Sequence, residues 1–302
     1  MVAGIAVAGA LVAMSFAAGP PKRARPPVWS RDVLDAFFED ARDALEGERP
    51  DYNQSASTAP ASTASAGGPI DAASSFAWSK LIDPDTLETE VKRIRQSLDA
   101  TITTPSAFKG GGYQIGRRDF SELALLFAVI GEHDGRPRWQ DAAPGLRDLF
   151  ARAGHNAKVG TDATYNEAKL RQQDLADLIR GSRPQLSKAE RDADLSKIAD
   201  RTPLMQRLNV AHEDRLTKWL ADAASFRRSR SDVRHEAQLV AMIAEAIGRE
   251  GFDFWDDKEY AAYARDLKQA ASDLAAADNF DQARAAIANA TNACTECHSD
   301  YR

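Results

Sequence analysis

From Pro84 onward, apolar side chains recur at three- and four-residue intervals between polar, glycine-containing turns, and no run of alternating β-branched residues interrupts them. The pattern predicts helices over 84–100, 116–132, 139–153 and 163–179, then over 203–226, 232–249, 258–275 and 280–301. Four and four imply an all-α fold of two tandem up-down four-helix bundles, residues 81–182 and 183–302. A repeat supports the division. Leu123-Ala124-Leu125-Leu126-Phe127-Ala128-Val129-Ile130-Gly131 resembles the stretch Leu239 to Gly248 with one inserted residue, and the closing glycines stand 117 residues apart. Each stretch is followed by a tryptophan, Trp139 or Trp255, near a cluster of acids.

Ahead of these elements the pattern changes. Residues 1–18 are apolar and small, with Ser15-Phe16-Ala17 offering a small-x-small cleavage pattern, and they read as a signal peptide that exports the chain to the periplasm or its equivalent. Lys22, Arg23 and Arg25 follow this run and no base precedes it. An uncleaved anchor with the body kept inside, or a start site set too late, fits the same residues. Within 19–50, Val33, Leu34, Phe37, Phe38, Ala41 and Leu45 form one short amphipathic helix. Residues 51–80 are largely Ser, Ala, Thr, Gly and Pro, too poor in apolar surface to offset chain entropy, and read as a linker.

Composition narrows the functions. Among 302 residues, 45 Asp and Glu exceed 39 Lys and Arg for a net charge of −6, which argues against a protein that grips nucleic acid through counterion release. A mean hydropathy of −0.45 excludes a polytopic membrane protein. Lys109-Gly110-Gly111-Gly112 follows no strand and precedes no Lys-Ser/Thr, so it reads as an interhelix turn rather than a phosphate loop. No acid/base constellation stands out, and no enzyme is expected. The two cysteines both fall in the last nine residues, so no disulfide framework spans the fold.

Those cysteines carry the chemistry. In Cys294-Thr295-Glu296-Cys297-His298 the thiols are three apart and the imidazole four from the first, so all three share one side of a helix. That spacing lets two sulfurs add to the two vinyl groups of one haem while His298 reaches the iron. Phe280, Ala283, Ile287, Ala290, Cys294 and Cys297 continue a 3,4 seam, which would bring the group into the bundle core. A thioredoxin-like C-x-x-C belongs after a strand, at a helix N-terminus. A zinc site would have to recruit distant histidines.

The residues Cys294, Cys297, His298, Tyr301 and Arg302, in the pattern C-x-x-C-H-x-x-Y-R, together with Trp255-Asp256 opening the preceding helix, make the last hundred residues resemble the class II c-type cytochromes, the cytochrome c-prime family. The resemblance reaches the first bundle only through the repeat. It implies one covalent haem c, with His298 as axial ligand to the iron and Arg302 beside the haem edge. It further implies that Arg201 is followed four residues later by Met205, facing the open side of the iron. A thioether there makes a six-coordinate, electron-transfer haem. Without ligation the iron is five-coordinate and binds NO or CO. As a core residue, Met205 would simply fill space. Met242 reads as core, His212 lies two turns beyond Met205, and His133, His155 and His235 read as solvated. Shifting the motif back by 117 residues lands on Asp177, Arg180 and Gly181, so the first bundle reads as haem-free, a docking or dimerisation module.

The expectation is an exported mono-haem cytochrome that transfers single electrons to redox partner proteins, with a homodimer through the bundles as an option. The alternatives are gas binding, and a structural protein in which haem adds stability.

Overall fold

The computed structural model describes residues 76–182, 184–190 and 194–301. The expected leader, short helix and most of the linker lie outside the described residues, as does Arg302. Among the described residues the chain is all-α with no strand. The first four long helices are α1 (Pro84–Thr101), α2 (Tyr113–Glu132), α3 (Ala143–Asn156) and α4 (Asp162–Arg180). In the second half, α5 begins as Arg201–Asn209, continues through a π-helical stretch Val210–Leu216 and ends with the turn Thr217–Trp219. It is followed by α6 (Ala223–Ile247), α7 (Lys258–Ala276) and α8 (Phe280–Asp300). None of these helices is long and apolar enough to cross a membrane.

Local chemistry sets the ends. In α1, Pro84 supplies a preset φ at the first turn and Leu87, Val91, Ile94 and Leu98 line one buried face. The expected helix over 203–226 is two helices. The Asp222 side chain accepts from the N–H groups of Ala224 and Ser225, which starts α6 inside a stretch that periodicity alone reads as continuous. The glycine run 110–112 is an interhelix turn, and Gly111, at φ 140°, breaks the helical path before α2. The body also reaches further toward the N-terminus than residue 81, because Trp78 sits in a helical turn, fully buried, with its indole N–H donating to Glu132 at 3.0 Å. Against expectation, His133 and His235 are buried. His133 bonds the Ile82 carbonyl and the Gly135 N–H, and the early start of α6 places His235 mid-helix.

The two four-helix sets belong to one compact unit and share a core in which Phe120, Leu123 and Phe127 join Leu204, Leu239, Met242 and Ile243. The second halves of α2 and α6 are buried on nearly every side, as expected of helices apolar all round. A shift of 117 residues carries contacts in one half onto contacts in the other. Arg234 pairs with Asp83 at 3.0 Å, and at the shifted positions Arg117 pairs with Asp200 at 2.7 Å. Ser79 bonds Asp134, and correspondingly a Cβ added to Gly251 would stand 2.6 Å from the Ser196 hydroxyl. These pairs make the halves face one another across a pseudo-twofold relation, with α1 on α6 and α5 on α2.

At the centre of that relation Arg207 is buried among three carboxylates from three helices. It bonds Glu122 at 2.6 Å and Glu90 at 3.2 Å, and it bonds Glu236. His235 meets Glu90 at 2.7 Å and Arg215 meets Glu236 at 2.7 Å. Burial pushes Glu90 up, but the His235 hydrogen bond and the charges of Arg207, His235 and Arg215 outweigh it and hold this carboxyl near about 2. Glu122 goes the other way. Its burial is complete and Glu90, Asp119 and Glu236 repel its charge, so despite Arg207 it is pushed up to about 8.

Two outcomes follow. Arg207→Leu leaves buried carboxylates uncompensated and is expected to cost about 3–5 kcal/mol in urea unfolding. Glu122 keeps its proton when folded up to about pH 8 but releases it near the ordinary 4.5 when unfolded. Its contribution is therefore fully present at low pH and is lost as the pH rises through that window, by up to about 1.4 kcal/mol per unit. Comparing unfolding of the wild type and Glu122→Gln at pH 6 and pH 8 should show a larger fall in the wild type, and equal falls would remove this assignment.

Candidate functional site

The cysteine helix α8 starts where the Asn279 side chain accepts from the Gln282 N–H. Its buried line is all alanine: Ala283, Ala286, Ala290 and Ala293. The expected seam is thus rotated slightly. Phe280, Ile287, Cys294 and Cys297 form a half-buried flank beside the alanines, and His298 is exposed. Small residues let α8 pack without filling the space next to that flank, and the result is a cavity of about 260 Å³ among α5, α7, α8 and the end of α6.

Cys294, Cys297 and His298 lie along one side of this cavity. Met205 and Leu208 of α5, Ile247 of α6, and Tyr260, Ala264 and Leu267 of α7 complete most of its wall. The structure therefore brings Met205 to the same space as the cysteine motif, although some ninety residues separate them in sequence. Arg302 is outside the described residues. Both thiols are free. Burial, and secondarily the neighbouring Cys297, raises the pKa of Cys294. Burial likewise raises Cys297, with Arg201 opposing. Among the described residues no three His, Cys, Asp or Glu side chains converge to cage a metal ion, which leaves the zinc arrangement without a donor set there.

Sequence reasoning missed or undervalued two residues. His212 also reaches the cavity. It lies in the π-helical stretch of α5, an irregularity that re-aims side chains, and its Nε2 lies 2.8 Å from the Thr291 hydroxyl on α8 while its Nδ1 lies 2.9 Å from Glu213. Tyr260 is the other. Its hydroxyl is buried beside the Arg201 guanidinium, and burial raises its pKa while hydrogen bonding and charge from Arg201 oppose the rise. The 4,3,4,3 spacing of Tyr260, Ala264, Leu267, Ala271 and Leu274 marks a seam with a polar tip at its start, and that signal was readable.

The first half is filled where the second is hollow. At positions matching Ala264 and Leu267 it has Arg147 and Phe150, both buried, and Phe150 stacks on Phe127 with ring centres 5.5 Å apart. On α4, whose Thr161 cap stands 118 residues before Asn279, Gln172 and Leu175 occupy the places of Ala290 and Ala293. An apolar space with two thiols, an imidazole and a thioether on its walls can hold a flat hydrophobic cofactor covalently. The first half offers neither the space nor the thiols. Comparisons with family models, curated proteins and solved structures give no match for the chain.

Proposed function

We propose that the chain is an exported mono-haem c-type cytochrome, similar to the class II c-type cytochromes in its second half, that transfers single electrons. The observation that carries this reading is the convergence of Cys294, Cys297, His298 and Met205 on one largely apolar cavity. The residues suit the group. The two thiols share a helix flank at C-x-x-C spacing, alanines leave room beside them, and Tyr260 with its buried hydroxyl lines the same space. When bound, the iron would supply one-electron chemistry between its ferrous and ferric states.

The chain's own residues do the rest. Cys294 and Cys297 would hold the group covalently, and His298 of α8 and Met205 of α5 would supply the donors to its iron. Leu208, Ile247, Ala264 and Leu267 exclude water, and the low dielectric they create favours the less charged, reduced state. The five-coordinate, gas-binding alternative differs in one respect only, the ligation by Met205. The empty-handed first half acts as a scaffold for α5 and α6, which supports a structural role for residues 84–180.

The test is the optical spectrum of ferric and ferrous protein made with haem-maturation machinery. Low-spin bands and no CO uptake are expected for the wild type, with a shift to high spin and CO binding in Met205→Ala. A spectrum unchanged by Met205→Ala removes the sixth-ligand assignment, and protein without a haem spectrum removes the reading.

A further inference from the structure

The loop between α6 and α7, which leads into the Tyr260 end of α7, presents two aromatic side chains to water. Phe254 is 45% exposed and Trp255 41% exposed. The backbone does not hold Phe254 cheaply. Its φ is 65°, a left-handed value that a bulky L-residue adopts only when its surroundings impose it. Arg201 lies over its ring at 5.1 Å, and Tyr301 lies 5.1 Å and Tyr260 6.0 Å from it. Because Tyr260 lines the cavity, the aromatic surface is continuous with the cavity wall.

The other half of the molecule shows that this exposure is not a necessity of the scaffold. Trp139 lies in the loop after α2 as Trp255 lies in the loop after α6, one residue out of the 117-residue register, and Trp139, like Phe254, has a positive φ, 69°. Yet Trp139 turns inward and packs on Phe127 with ring centres 6.1 Å apart, under the guanidinium of Arg138 at 4.7 Å. Trp255 makes no ring contact among the described residues. One loop tryptophan packs on a filled core, and the tryptophan of the other loop is left exposed for something else to cover.

Charge says what kind of surface covers it. From Glu250 to Glu259 the chain carries Glu250, Asp253, Asp256, Asp257 and Glu259 against Lys258, all six exposed, and Arg201, over Phe254, pairs with Asp253 at 3.7 Å, so carboxylates still outnumber cations on this face. Toward the N-terminal end of α6, roughly 25–35 Å back along the helix, the charge reverses. Arg227, Arg228, Arg230, Arg234 and Lys80 line a cleft of about 840 Å³ and outnumber its two aspartates, Asp83 and Asp278, which pair with Arg234 and Arg230. A cationic partner is therefore repelled at one end of the molecule and drawn to the other.

We propose that Phe254 and Trp255, with the carboxylates around them, form the docking face for a basic partner protein whose Lys and Arg side chains surround an apolar spot. An aromatic centre inside a polar rim is the usual distribution of energy in such contacts. The proposal deepens the cytochrome reading by naming its partner surface, and it rests on that reading only for what the docked partner would exchange.

The experiment titrates the full haem-loaded chain with a small lysine-rich cytochrome as probe, by calorimetry at low and at physiological ionic strength, with an acidic flavodoxin as control. Binding to the basic probe that weakens with salt is expected. Trp255→Ala should raise the Kd roughly tenfold or more, and Asp253→Asn with Asp256→Asn should lower the salt dependence, with helical circular dichroism and haem content unchanged in both. The idea is overturned if Trp255→Ala binds like the wild type, if the acidic control binds equally well, or if sedimentation shows that Trp255 seats a second copy of this chain. The haem spectrum reports separately: a chain that lacks haem but docks the probe through Trp255 keeps this proposal and loses the cytochrome reading.

Discussion

One arginine fixes the frame on which the cavity depends. Arg207 belongs to α5 and is tied to Glu90 on α1, Glu122 on α2 and Glu236 on α6, so a single guanidinium fixes four helices at the junction of the two halves. Its planar fork suits this task, since several donors leave one rigid centre in different directions. Two residues earlier on the same helix, Met205 points to the cavity. The network and the cavity wall are thus opposite faces of α5, and the register of one sets the register of the other. Such a cluster adds little net stability over an apolar core, but any change that leaves it half-paired is costly, and this makes it a device for holding one geometry.

The second determinant is an asymmetry between two similar halves. The shifted pairs Arg117–Asp200 and Arg234–Asp83 show the same contacts used twice. On that common frame, Phe150, Arg147, Leu175 and Gln172 fill the first half, while Leu267, Ala264, Ala293 and Ala290 leave the second with space. Alanine at these positions gives up burial that leucine would supply, at roughly 2–5 kcal/mol for each large side chain missing from a core. A cavity of that origin beside two thiols is what the proposed haem would occupy, and its burial would return the missing apolar contacts.

Much of this was legible in the sequence. The 3,4 periodicity predicted helices from Pro84 onward, and the resemblance between Leu123 to Gly131 and Leu239 to Gly248 pointed to a repeat, whose two copies pack on one shared core. The cysteine spacing gave the helix flank, and the cavity does lie beside it. The misses share a cause. Periodicity does not register a cap, so Asp222 was read as helix interior and the break between α5 and α6 was expected after residue 226 rather than at Asp222. It also cannot tell which charges pair over a distance: Glu90, Glu122, Arg207 and Glu236 each look like surface residues, and their burial exists only because they meet. His212 was set aside on regular helix geometry, which the π-helical stretch at Val210–Leu216 suspends. Trp78 lay past a low-complexity stretch whose composition masked it.

The central claim is a stoichiometry: one haem per chain, attached in the hollow half. Intact mass spectrometry of the protein made with haem-maturation machinery, paired with iron analysis, tests it most directly. The account predicts a mass increase of one haem and one iron per chain, with covalent retention lost when Cys294 and Cys297 are both changed to Ser. A chain of unmodified mass, or a covalent haem that survives the double substitution, would contradict it.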